Sequence, residues 1–84
     1  MLIQHGQLKY ADSITANSRV SETYKWSITW EDYETAQLFL TSNNYKVYIT
    51  NISNTDPTEE TISFYNHHTT TTSNVTAKIL GIGC

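Results

Sequence analysis

Cysteine is almost missing from this chain: there is one, Cys84, at the last position, so no disulfide can form within it. Proline occurs once and glycine only three times, at Gly6, Gly81 and Gly83, which leaves no phosphate-cradling glycine loop. Positive charge is scarce, with five Lys and Arg against eight Asp and Glu and a formal net charge of −3. The basic footprint of a nucleic-acid-binding protein is therefore absent. Charged residues of either sign make up 15% of the chain, below the roughly 25% of an average globular domain. No apolar run approaches the ~18 residues of a membrane-spanning helix. The opening "MLIQHGQLKY" has neither the basic nor the apolar region of a secretory leader.

Small uncharged polar residues fill the space. Fourteen Thr, eight Ser and seven Asn make up about a third of the 84 residues, joined by six Tyr and two Trp. Such Thr-, Asn- and Tyr-rich composition is common on extracellular and virion β proteins. The length allows a single domain, 1–84. A chain of this size buries only roughly 60–65% of its unfolded surface. Without a disulfide, and with one Cys and three scattered His unsuited to a four-ligand zinc set, its stability rests on a good core or on a partner.

Period-two alternation dominates. "YKWSITW" puts Tyr24, Trp26, Ile28 and Trp30 on one face; "YKVYITNIS" does the same for Tyr45, Val47 and Ile49. "ETISFYN" places Ile62 and Phe64 together, and "NVTAKILGI" places Val75, Ala77 and Ile79 together. "GQLKYADSIT" reads as a weaker strand through Leu8, Tyr10 and Ile14. "TWEDYETAQLFL" fits a helix capped by Thr29, but its β-branched surroundings favour a strand at Ala36, Leu38 and Leu40, with "EDYE" as a hairpin loop. "TSNNY" at 41–45 reads as a tight hairpin turn, and "SNTDPTEE" at 53–60 as the longest loop. The expected fold is all-β: a small antiparallel β-sandwich or jelly-roll-like domain of six to seven strands. Its expected core is Leu8, Tyr10, Trp26, Ile28, Trp30, Leu38, Leu40, Val47, Ile49, Ile62, Phe64, Val75, Ala77 and Ile79.

Catalytic and metal sites are not legible. Adjacent His67 and His68 on a strand point to opposite faces and do not converge on one ion. The acidic cluster Glu31, Asp32 and Glu34 lacks the glycine of a calcium loop and the cleft that would separate two carboxyl pKa values. Cys84 at a chain end has no electropositive setting to activate it. The chain reads as a non-enzyme without cofactor. "NIS" at 51–53 and "NVT" at 74–76 match the glycosylation pattern, as an Asn- and Thr-rich chain does by chance. The off-face aromatics Phe39, Tyr48 and Tyr65 are the candidate ligand-facing residues.

Apolar residues remain once the core is filled: Leu2 and Ile3 at one end, Leu80 and Ile82 at the other, with Cys84 behind them. These five are the expected interface, with strand addition to a neighbouring copy as the expected contact. In composition and plan the whole chain resembles the subunits of bacterial endospore appendages: a small Thr- and Asn-rich β domain, no leader, one terminal cysteine. The cysteine-rich N-terminal extension of those proteins is not seen here. The resemblance implies a jelly-roll fold, self-assembly into a surface fibre, and synthesis without a signal peptide. Phage head or tail decoration proteins fit the same plan. The expected function is a self-assembling structural subunit of an extracellular, cell, spore or virion surface, partnered by itself rather than by nucleic acid or membrane. A small glycan- or protein-binding module is the alternative.

Overall fold

The computed structural model describes residues 1–33, 35–53 and 56–84, with the backbone alone for 51–53. Glu34, residues 54 and 55 of the expected 53–60 loop and the side chains of the "NIS" sequon lie outside the described residues. Six strands form: β1 (Leu2–Lys9), β2 (Arg19–Lys25), β3 (Gln37–Ser42), β4 (Val47–Ser53), β5 (Glu59–Asn66) and β6 (Thr76–Gly83). No helix occurs among the described residues. The strands make two three-stranded sheets, β1-β6-β3 and β2-β5-β4, with every pair antiparallel. The fold is a small β-sandwich.

The chain changes sheet at every connection except β4–β5, and the first strand pairs with the last. That is the wrapping of a jelly roll, with two strands fewer than the usual eight. Both ends are pinned by one another: Leu2 pairs with Gly83 and Lys9 with Thr76 along a full ladder. The central strands β5 and β6 carry the most buried residues, including Ile62, Phe64, Ala77 and Ile79. The Cα framework extends 41 × 19 × 17 Å, so the molecule is a short rod. One tip holds the two tryptophans, the other His67 and His68.

The tryptophan end departs from the sequence expectation. The strand expected over 24–30 stops at Lys25, and the described residues of 26–36 form an irregular excursion that crosses to the other sheet. Trp26 and Trp30 are buried as expected, but Ile28 is 55% exposed and not part of the core. The excursion breaks the alternation that would have put the three on one face. The strands on either side of "EDYE", β2 and β3, lie in different sheets and do not form the expected hairpin. Gln4 holds the excursion in place: its Nε2 donates to the Ile28 carbonyl at 2.8 Å and its Oε1 accepts from the Ile28 N–H at 3.0 Å. The Cys84 carbonyl accepts from the N–H groups of Glu31 and Asp32 at 2.8 and 3.2 Å.

The glycines explain where the tryptophans go. A Cβ on Gly81 would stand 2.7 Å from Trp26 and 2.8 Å from Trp30, and one on Gly83 would stand 3.1 Å from Ala36. Both residues lie on the inner face of β6, so the missing side chains make the room the indoles fill. The rings meet edge to face, Trp26 with Trp30 at 5.1 Å and Tyr24 with Trp26 at 5.2 Å.

At the other end, "TSNNY" joins strands of different sheets and is not a hairpin. The left-handed asparagines are instead Asn17 (φ 55°) and Asn74 (φ 58°). Asn66, fully buried, ties down the Thr-rich segment after β5. Its Nδ2 donates to the carbonyls of Ile14 at 3.0 Å and Thr70 at 2.9 Å, and its Oδ1 accepts from the His68 N–H at 2.9 Å. Ile14, only loosely implied by the sequence, is fully buried and bridges to Thr72.

Candidate binding and assembly surfaces

Strand register decides which side chains share a face. On the first sheet Leu2, Gln4 and Leu8 turn inward, while Ile3, His5 and Gln7 turn outward. On β6 Leu80 and Ile82 point out; on β3 Phe39 does. Pairing sets them in rows across the outer face: Ile3–Ile82–Gln37, then His5–Leu80–Phe39, then Gln7–Lys78–Thr41. Ile3 and Phe39 are 53% and 50% exposed, and Leu80 and Ile82 lie between them, partly covered. The four form one apolar patch. A shallow groove of about 410 Å³ adjoins it, running from His5, Leu80 and Phe39 towards the polar row of Gln7, Lys78 and Thr41. Three of the expected interface residues thus meet on one face, and Phe39 joins them. Leu2 does not, because it packs against the core. Cys84 is exposed with a free thiol, two positions beyond Ile82.

The outer face of the second sheet is built differently. Tyr48 and Tyr65 stand directly opposite each other on β4 and β5, and Arg19 stands opposite Tyr65 on β2. Beyond that row come hydroxyl side chains: Ser21, Ser63 and Thr50, then Thr23 and Thr61. His67 stacks on Tyr48 at 4.1 Å with rings 15° apart. Arg19 and His67 were not singled out in the sequence as members of this surface. β2 has only Val20 and Tyr24 as apolar alternation, too little to mark a strand or to face Arg19 outward.

Charge divides along the rod. Glu31, Asp32, Asp56 and Glu59 lie at the tryptophan end, opposed by Lys25. Arg19, Lys46 and Lys9 lie at the histidine end, opposed by Asp12. Asp56 is held below the usual carboxylate range by hydrogen bonds from the Thr58 hydroxyl and N–H. Glu60 is the exception, with 2% of its surface exposed and its pKa raised to about 7, chiefly by burial. The Trp26 indole N–H lies beside its carboxyl and favours the ionised form, though neither indole N–H makes a hydrogen bond of normal geometry.

Among the described residues, no three His, Cys, Asp or Glu side chains converge as a metal site would require. His67 and His68 diverge, one onto Tyr48 and the other against Tyr45 at 6.1 Å. No helix among the described residues is long and apolar enough to cross a membrane. No family model matches the chain, and neither the curated proteins nor the solved structures contain a match.

Proposed function

We propose that this protein is a non-enzymatic structural subunit that associates with copies of itself, through the outer face of the first sheet, into a filament on an extracellular, cell, spore or virion surface. The observation that carries the reading is the apolar patch of Ile3, Phe39, Leu80 and Ile82 on a face that a monomer would leave in water. Completing the burial of such half-exposed side chains gains roughly 1 kcal/mol each, a useful amount for a domain of this size.

The filament form follows from the edges. β1 and β3 bound the same sheet on opposite sides, and among the described residues neither has a strand partner on its outer edge. Pairing β1 of one copy with β3 of the next is a heterologous contact that does not close, and it would run the apolar patch on as a stripe. The terminal residues contribute through this face rather than as free arms, since β1 and β6 already pair with each other. The association does not need the Cys84 thiol, and Cys84→Ser is expected to assemble like the parent. Electron micrographs of the purified protein should contain filaments; a field of uniform small particles at high concentration overturns the filament reading. The Tyr48–Tyr65 row favours a second, ligand-binding role.

A further inference from the structure

The outer face of the second sheet is a surface distinct from the assembly patch and independent of it. Its aromatic row runs from Arg19 through Tyr65 to Tyr48 and ends on the stacked ring of His67. The Arg19 guanidinium lies 5.2 Å from the Tyr65 ring centre and donates to the Ser63 hydroxyl at 2.7 Å. No carboxylate among the described residues pairs with it. Glu22, the nearest acid on β2, belongs to the opposite face by strand alternation. His67 is steadied by its Nε2, 3.0 Å from the Tyr45 carbonyl oxygen. A cleft of about 460 Å³ lies along the β4 edge of this face, bordered by Arg19, Tyr48, Thr50 and Tyr65 and reaching inward to Leu40, Val47 and Ile49.

We propose that this face binds an acidic saccharide. Two cross-strand tyrosines, Tyr48 60% exposed, offer apolar ring surface for the C–H face of a pyranose. The remaining N–H groups of Arg19 suit a planar carboxylate, which a neutral sugar does not supply. The hydroxyl rows beyond, with exposed Ser21, Thr23 and Thr50, match a ligand rich in hydroxyl groups. Lys46 adds positive charge at the same end, while Glu31, Asp32, Asp56 and Glu59 lie at the other, so an anionic chain is drawn to this face and repelled from the far tip.

Calorimetric titration with trigalacturonate and with its methyl ester, which keeps the sugar and loses the charge, tests this. The acid should bind at least tenfold more tightly than the ester. Tyr48→Ala and Arg19→Gln should each weaken acid binding at least tenfold, and Arg19→Gln should erase the preference over the ester. Leu80→Lys, on the other sheet, should leave binding unchanged, which separates this site from the assembly patch. Absence of binding, equal binding of acid and ester, or acid binding indifferent to Tyr48→Ala overturns the proposal. So does an Arg19→Gln variant that loses self-association instead, since that assigns the face to the acidic end of a second copy.

Discussion

Glu60 carries a buried carboxyl whose pKa is raised from 4.5 to about 7, with burial as the main cause. In the unfolded chain this group ionises near its ordinary value, while the folded protein retains the proton. Stability is therefore fully present below about pH 4.5 and declines as pH rises towards 7, where the folded form must also ionise. The carboxyl is buried on the inner face of β5, so the loss should be on the order of 1–3 kcal/mol. Glu60→Gln should flatten that decline in denaturant titrations between pH 4.5 and 8; an unchanged slope contradicts the assignment. Gly81→Ala, which drives a methyl into Trp26 and Trp30, should cost roughly 1–3 kcal/mol, read as a lower denaturant midpoint. Residue identity in the core was largely legible, because Trp26, Trp30, Ile62, Phe64 and Ile79 are too apolar to leave in water. Ile28 was not, since nothing in its own chemistry reveals that a side-chain amide elsewhere, on Gln4, lifts its backbone out of strand geometry.

Elements were legible where they are central. β5 and β6 alternate strongly because both their neighbours and the opposing sheet bury them. β2 was not, because an edge strand with one solvated face needs only Val20 and Tyr24. The turns were misread for a similar reason: "TSNNY" has hairpin composition, but whether its flanking strands pair is a long-range matter. The 26–36 excursion is the element most dependent on one residue. Gln4→Ala removes both hydrogen bonds to Ile28 and should cost about 1–2 kcal/mol. It should also shift tryptophan emission to longer wavelength as Trp26 and Trp30 meet water. Unchanged emission would mean that the indoles, not Gln4, anchor the segment.

For the whole molecule, the sandwich class followed from six short alternating runs, but the wrapping did not. Nothing local states that β1 pairs with β6 and that β6 then accepts β3. The candidate surfaces share that limit. Ile3, Phe39, Leu80 and Ile82 were each legible as unplaced apolar residues, yet only register gathers them on one face and sends Leu2 to the other. Because β6 is a central strand, removing 80–84 would damage the sheet itself, so a point change on its outward side is the sharper probe. Sedimentation velocity of the parent and of Leu80→Lys, with far-UV circular dichroism to show an unaltered β signal, tests self-association most directly. The parent should sediment as species that grow with concentration, and folded Leu80→Lys should sediment as a single 9.6 kDa monomer. A parent that stays monomeric at every concentration, or a folded Leu80→Lys that associates as the parent does, would contradict the account.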